Sequence, residues 1–425
     1  MFTKIEDLVQ FIENSKRVTQ KTDLSNMKHF LKTLGNPEQN LPIIHITGTN
    51  GKGSVVCYLD NIFRLHGMNV GCFTSPYIEN FNERIRFNNV SISDADLLKY
   101  GNRVIECFPL WEKEIGVVPS FFEIVTLICF LYFKNQKSLD VLLLEVGIGG
   151  RLDSTNVVNS LLSVVTSISY DHMNLLGNTL DEILIEKLGI VKCNQNVILN
   201  LKNDHLIKVS NDYLNNLNSK AIIPDYKDLN IIKCDFEGSK FVYKDNLYDL
   251  QMIGSHQIDN ALTAITVACE YFKNIKTDFC FNQVLLYKGL YNTKWLGRFE
   301  KISNEPVIFV DGAHNEDGIR QITCFLKENK KTFKLRGIVA ISDNKEKETM
   351  IKMLDSVFDE IIFTKFSYSR SSVAEELFLF SKNKNKLLMV SLDEITDYIK
   401  TNKIDINIFI GSLYFVSEVK KHFKK

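Results

Sequence analysis

The chain offers a partner no net charge: 51 lysines and arginines balance 51 aspartates and glutamates over 425 residues. Such a surface lacks the broad electrostatic footprint that nucleic acids or anionic membranes require, so neither partner is expected and recognition must be local. A C-x-x-C pair is also absent, although nine cysteines are scattered along the chain. That pattern argues against a zinc site or a disulfide framework and for reduced thiols. The segment Met1-Phe2-Thr3-Lys4-Ile5-Glu6-Asp7 lacks the apolar core of a secretory signal. Long apolar runs are missing too: the most membrane-like stretch, 121–133, carries Glu123 and is too short to span a bilayer. No proline-rich or low-complexity segment marks a linker. A soluble cytoplasmic protein with short junctions is the expectation.

What is present is a hydrophobic fraction of 45% in a chain too long for one ordinary core, so two domains are expected. Short β-branched runs alternate with longer amphipathic segments, the mark of βαβ units and a mostly parallel sheet. Strands are expected at 43–47, 69–74, 139–146, 162–169 and 196–199, with helices at 51–66, 92–107, 121–134 and 180–191. Brief segments at 240–243 and 247–252 suggest an antiparallel extension of that sheet, followed by a helix over 256–272. A second series starts near Pro306, with strands at 307–310, 337–341, 360–364, 387–390 and 407–410. The boundary is placed near Gly297. The basic runs 382–386 and 420–425 read as a solvated loop and a favourably charged helix C-terminus, with no functional role.

Residues 47–54 read Thr-Gly-Thr-Asn-Gly-Lys-Gly-Ser between an apolar run and a helical pattern. Small residues at a strand-to-helix turn let backbone N–H groups approach phosphate oxygens, and Lys52 can reach the β- and γ-phosphates. Binding of ATP or GTP is expected; an ordinary glycine-rich turn with an incidental lysine is the alternative. The loop departs from G-x-x-x-x-G-K-[ST], because Ile46 holds the first glycine position and Gly53 separates Lys52 from Ser54.

Ligands in open α/β sheets bind beyond the carboxyl ends of strands, and four such ends are rich in polar residues. The first is the phosphate loop, where the Ser54 hydroxyl can ligate Mg²⁺. The second is Glu145, which closes an apolar strand ahead of Val146-Gly147-Ile148-Gly149-Gly150-Arg151-Leu152-Asp153. A buried carboxylate there needs a metal or a cation such as Arg151. The third delivers Tyr170-Asp171-His172, whose imidazole can ligate metal, carry a proton or simply pack. Lys187, in the following helical pattern, is either solvent-facing or shifted in pKa and modified. The fourth is Asp311-Gly312-Ala313-His314-Asn315, suited to a ribose or base contact or to capping a helix.

Taken in order, these segments resemble the folylpolyglutamate synthase and dihydrofolate synthase family, relatives of the Mur ligases, over nearly the whole chain. The matching blocks are 48–54, Thr74-Ser75-Pro76 with Glu83-Arg84-Ile85, 145–156, Asp171-His172 with Leu176-Gly177, Glu186-Lys187 with Gly189-Ile190, His256-Gln257 with Asn260-Ala261, Trp295 with Gly297-Arg298, 311–315, and Gly411-Ser412-Leu413-Tyr414. Three positions depart from the family pattern: Tyr77 stands for a histidine, Leu188 for an alanine, and Asn344-Lys345-Glu346 for an Asp-Lys-Asp.

The resemblance implies an α/β fold, with a P-loop NTPase-like N-terminal domain over 1–297 built on a mostly parallel sheet and a smaller Rossmann-like α/β C-terminal domain over 298–425. It implies that Gly48, Thr49, Asn50, Gly51, Lys52, Gly53 and Ser54 cradle ATP. Ser54, Glu145, His172 and a carbamylated Lys187 would hold Mg²⁺, with two ions expected. Asn260 and Arg298 would meet the nucleotide phosphates, and Asp311 and His314 the nucleoside. Ser75, Pro76 and Arg84 would lie beside the pterin-bearing substrate, and Asp153 and Ser154 where some members bind dihydropteroate. The implied activity is a ligase that joins L-glutamate to the γ-carboxylate of tetrahydrofolate through an acyl phosphate, in a monomer whose two domains close over ATP. A bifunctional enzyme that also uses dihydropteroate is the near alternative. A nucleotide-dependent switch or motor is the distant one, disfavoured by Gly53 and by Glu346-Lys347 after Asn344-Lys345.

Overall fold

A computed structural model describes residues 1–17, 22–343, 345–368 and 371–424. Its two compact units are Met1–Asp225 with Asp259–Leu290, and Tyr226–Ile258 with Tyr291–Lys425. The chain thus passes from one unit to the other at 225/226, 258/259 and 290/291, where the sequence suggested one boundary near Gly297.

The first unit is built on an eight-stranded sheet: β1 (Ile43–Thr47), β2 (Val70–Phe73), β3 (Ile85–Phe87), β4 (Val90–Ser91), β5 (Val141–Glu145), β6 (Leu162–Val165), β7 (Asn196–Leu199) and β8 (Lys220–Ile222). Their order is β4-β3-β2-β5-β1-β6-β7-β8. All neighbours are parallel except at the β4-β3-β2 edge. Every residue of β1 and of β5 is buried, as expected for parallel strands covered on both faces. The chain leaves β1 towards β2 but leaves β5 towards β6, so the strand order reverses around β1. The crevice that such a reversal opens beyond the strand ends is where this fold class binds ligands.

The helix Phe121–Lys134 has the bounds expected from the sequence and is mostly buried, Leu127, Phe130 and Phe133 included. Glu123 is accommodated there as a cap: one of its oxygens accepts both the Ser120 N–H at 2.9 Å and the Ser120 hydroxyl at 2.6 Å. Among the described residues, no helix is long and apolar enough to cross a membrane.

The second unit holds a three-stranded antiparallel sheet, β9 (Leu229–Asp235), β10 (Gly238–Tyr243) and β11 (Asn246–Leu250). The expected antiparallel extension of the first sheet is therefore a separate sheet, and the antiparallel part of the first sheet is the β3-β4 hairpin. A six-stranded sheet follows, from β12 (Glu300–Asn304), β13 (Val307–Asp311), β14 (Leu335–Val339), β15 (Glu360–Phe363), β16 (Lys386–Leu388) and β17 (Ile406–Ile410), in the order β12-β13-β17-β14-β15-β16. It is parallel except for β12. In its interior Arg336 is buried with its guanidinium donating to Glu360, to Asn407 Oδ1 at 3.0 Å and to the Asn402 carbonyl at 2.7 Å, over the ring of Tyr398.

Arg336→Ala strips Glu360 and Asn407 of a buried donor at once. It is expected to cost about 3–5 kcal/mol, read from the shift of the urea unfolding midpoint.

Candidate functional site

The phosphate loop leaves β1 and enters the helix Lys52–Leu65 through Gly51, which adopts φ +86°. A Cβ on Gly51 would lie 2.3 Å from Asn260 Oδ1, so only glycine lets Asn260 press against the loop. The loop is tied to the segment after β6. The Thr166 and Ser167 hydroxyls donate to the Asn50 carbonyl at 2.5 and 3.0 Å. The Thr49 N–H donates to the Ser167 carbonyl at 2.9 Å. Lys52 donates to the loop's own Gly48 and Thr49 carbonyls at 2.9 and 3.3 Å, which holds its ammonium on the concave side. Ser54 is buried in the first turn of the helix.

Glu145 ends β5 with 3% exposure and accepts the Ser75 N–H at 3.0 Å, so it draws the 75–84 loop to this strand end. Arg151, the cation considered for it, pairs with Glu186 at 2.7 Å. Ser75-Pro76 is a cis peptide. Arg84 is buried, its guanidinium 5.1–5.4 Å from the ring centres of Tyr77, Phe81 and Phe121. Tyr77 donates its hydroxyl to Glu13 at 2.6 Å.

The 147–155 loop wraps around the Asp153 carboxylate. One oxygen accepts the Gly147 and Ile148 N–H groups, both at 3.1 Å. The other accepts the Thr155 N–H at 3.0 Å and the Thr155 hydroxyl at 2.6 Å. Because that hydroxyl's proton points to Asp153, its oxygen accepts from His45 Nε2 at 2.8 Å. His45 lies within β1 with no exposure; burial first, then the Lys192 charge, push its pKa down to about 3, and its Nδ1 has no hydrogen-bond partner among the described residues. Nothing in the sequence singled out His45; its only signal is a polar residue inside an apolar buried strand. Ser154 is also buried.

Lys187 is 3% exposed, not solvent-facing. Burial first, then the charge of Lys52, lower its pKa to about 7, while Asp171 and Asp153 oppose the shift. The helix Leu180–Leu188 thus brings this amine within electrostatic reach of Lys52, Asp171 and Asp153. The packing is close: a Cβ on Gly150 would meet the Lys187 carbonyl at 2.8 Å. His172 adopts φ +52° and caps the short helix Met173–Leu176, with its Nε2 3.9 Å from Asp171 Oδ1.

In the second unit, Asp311 ends β13 and accepts the Phe299 N–H and the Ala313 N–H, each at 2.7 Å. Burial raises its pKa, against the opposing charge of Arg298. The Gly312 N–H donates to the Gly297 carbonyl at 2.9 Å, so the turns at 297–299 and 311–314 interlock. His314 Nδ1 donates to the Gly312 carbonyl at 2.7 Å. Asn315 caps the helix Glu316–Asn329, so capping and a place near Arg298 coexist in this segment.

The first unit thus gathers Lys52, Asp153, Asp171, Lys187 and Asn260 around one loop, with Glu145 and Ser75 at the adjacent strand end. The second gathers Arg298, Asp311 and His314. Among the described residues, no group of three or more His, Cys, Asp and Glu side chains is arranged to hold a metal ion. Among the described residues, none of the nine cysteines forms a disulfide.

Fold and loop together define a P-loop nucleotide-binding protein of the two-domain ligase type. Residues 114–268 match the Mur ligase middle domain, and residues 296–422 match the dihydrofolate synthetase C-terminal domain. The chain is 32% identical to the dihydrofolate synthase/folylpolyglutamate synthase of Bacillus subtilis (strain 168), over 100% of both chains. It is similar to the crystal structure of a folylpolyglutamate synthase from Thermotoga maritima, with 30% identity, a TM-score of 0.84, and 99% and 97% of the two chains covered. An FPGS–AMPPCP–folate complex matches at 28% identity with a TM-score of 0.85 over 100% of both chains. The chain belongs to the folylpolyglutamate synthase/dihydrofolate synthase family.

Two outcomes follow from this geometry. Gly51→Ala forces a strained φ and displaces Asn260; ATP affinity by calorimetry is expected to fall roughly tenfold or more. His45 has a folded pKa of about 3 against an unfolded value near 6.5. Its contribution is therefore intact above pH 6.5 and is lost as pH falls towards 3. Lowering the pH from 7 to 5 should remove about 2 kcal/mol of stability through this residue alone, a slope that His45→Gln abolishes in urea titrations at both pH values.

Proposed function

We propose that the chain is an ATP-dependent ligase that joins L-glutamate to the γ-carboxylate of a tetrahydrofolate, with Lys52, Glu145, His172 and Lys187 as its catalytic residues. The observation that supports this reading best is the buried Lys187, held near neutrality beside the phosphate-loop lysine. A motor or switch has no evident use for it.

A carboxylate does not condense with an amine at neutral pH, because oxide is too poor a leaving group. Transfer of the ATP γ-phosphoryl group to the folate γ-carboxylate gives an acyl phosphate and ADP. The glutamate amine then attacks the acyl carbon, phosphate departs, and the amine proton is released. Lys52 holds the terminal phosphates during the first step, which is dominated by positioning and charge neutralisation. A lysine whose pKa is about 7 is roughly half neutral at pH 7, and a neutral amine can take up CO₂ with loss of a proton to form a carbamate; this would turn Lys187 from a cation into a carboxylate-like ligand.

The donor set fits magnesium. Glu145 is a buried carboxylate at the strand end, a modified Lys187 would add oxygens, and His172 and Ser54 complete the candidate ligands. Bound there, Mg²⁺ would neutralise charge on the transferring phosphoryl group. Asn260 and Arg298 are assigned to the phosphates, Asp311 and His314 to the nucleoside, and Ser75, Pro76 and Arg84 to the pterin side. The neighbouring folate complex supports that assignment. Asp153 and Ser154 are assigned to dihydropteroate. The name of the Bacillus subtilis relative, which covers both reactions, favours the bifunctional form as the second reading. Asn344, weighed against a guanine-switch motif, lies outside the described residues.

Phosphate release should require ATP, L-glutamate and a folate acid together. Release with tetrahydrofolate alone supports the first reading, release with dihydropteroate as well supports the second, and release with neither sinks both. Glu145→Ala, His172→Ala and Lys187→Ala are each expected to lower kcat at least ~100-fold while leaving the unfolding midpoint near that of the parent. Labelled bicarbonate should give a carbamate carbon signal that Lys187→Ala lacks.

A further inference from the structure

The basic tail after the last strand reads as a solvated helix end, but one of its lysines is not solvated. Lys420, in the last turn of the helix Leu413–Phe423, has a side chain only 4% exposed. Its ammonium lies 2.5 and 2.7 Å from the two carboxylate oxygens of Glu300 in β12. A surface lysine gains little from such a pair and favours water. A buried one bonded to both oxygens of a carboxylate fixes that carboxylate in space.

What Glu300 does with its fixed position is specific. Its Oε2 accepts the Gly297 N–H at 2.7 Å, three residues back across the turn that carries Arg298. Gly297 has φ +69°, and its carbonyl takes the Gly312 N–H at 2.9 Å. On the other side of Arg298, the Phe299 N–H is held by Asp311 at 2.7 Å. The residues on both sides of Arg298 therefore have their N–H groups held by carboxylates. One carboxylate ends a central strand, and the other is clamped by the C-terminal helix. Only the second tether depends on a remote residue.

We propose that Lys420 and Glu300 form a positioning pair for Arg298, setting the turn from which its guanidinium meets nucleotide phosphate and so setting affinity for ATP. The proposal rests on the assignment of Arg298 to the phosphates. Neither residue touches the nucleotide in this scheme. Lys420 acts on Glu300, Glu300 on the Gly297 N–H, and the turn on Arg298.

The test uses the full chain and reads ATP binding by calorimetry alongside KM for ATP and kcat from phosphate release. Lys420→Met and Glu300→Ala should each weaken ATP binding about tenfold with kcat changed less than about threefold. Lys420→Arg should recover most of the loss, because it keeps the charge and the donors. In an Arg298→Ala background, Lys420→Met should produce no further weakening, since its effect runs through that side chain. Unchanged ATP binding in a folded Lys420→Met or Glu300→Ala protein overturns the proposal. So do losses from Lys420→Met and Arg298→Ala that multiply in the double variant. If Lys420→Met fails to fold, Glu300→Ala and Lys420→Arg carry the same decision. An Arg298→Ala protein that binds ATP like the parent overturns the phosphate assignment itself, which separates that failure from failure of the pair.

Discussion

Burying a lysine beside another lysine is the constraint on which the first unit's site depends. Lys187 loses its hydration shell, and Lys52 adds like-charge repulsion, so the ammonium form is penalised twice and the pKa settles near 7. Asp171 and Asp153 limit that fall rather than cancel it. An amine in this state is a nucleophile at neutral pH and an unstable occupant as a cation. The surroundings are arranged to keep it there: Gly150 admits the Lys187 backbone to the 147–155 loop, and that loop is wound on the Asp153 carboxylate. His45, neutral because it is buried, donates a hydrogen bond to the Thr155 oxygen, whose own proton is donated to Asp153.

Both units solve the problem of a buried carboxylate at or beyond a strand end in the same way. Unpaired, such a group would carry a desolvation cost of several kcal/mol. Glu145, Asp153 and Asp311 meet it with backbone N–H donors: Ser75 for the first, Gly147, Ile148 and Thr155 for the second, Phe299 and Ala313 for the third. Each bond satisfies the charge and also fixes the neighbouring turn. Charge and geometry are therefore set together, and the turns that carry the candidate ligands inherit their shape from buried acids.

This division explains what could be read from the sequence. Parallel strands buried on both faces are continuous apolar runs, so β1 and β7 were legible to the residue and β5 nearly so. The phosphate loop was legible because glycine, lysine and a strand-to-helix step occur together. The β3-β4 hairpin was missed because its strands are only three and two residues long. Its one signal was Asn88-Asn89, both with positive φ, as a two-residue hairpin turn requires. The separate sheet of β9, β10 and β11 was misplaced because alternation identifies a strand but not its partner. His45 went unread, and Lys420 was read only as part of a charged helix end, for a further reason: each bonds to a side chain from a distant segment, and such contacts leave no spacing in one chain.

The extra glycine of the phosphate loop bears on how the charge is shared. A helix advances about 100° per residue, so inserting Gly53 between Lys52 and Ser54 turns the serine hydroxyl by that amount relative to a loop in which the serine follows the lysine directly. Ser54 is correspondingly buried in the helix's first turn, while Lys52 remains on the concave side of the loop. A loop altered in this way has less to offer a cation from its own hydroxyl. In the proposed function the remainder falls to the strand ends, where Glu145 closes β5, His172 lies beside Asp171 after β6, and Lys187 has a pKa of about 7. The departure in the loop and the unusual lysine thus lie at the same end of the sheet: one alters the hydroxyl that the phosphate loop presents, and the other sets an amine of pKa about 7 near Lys52.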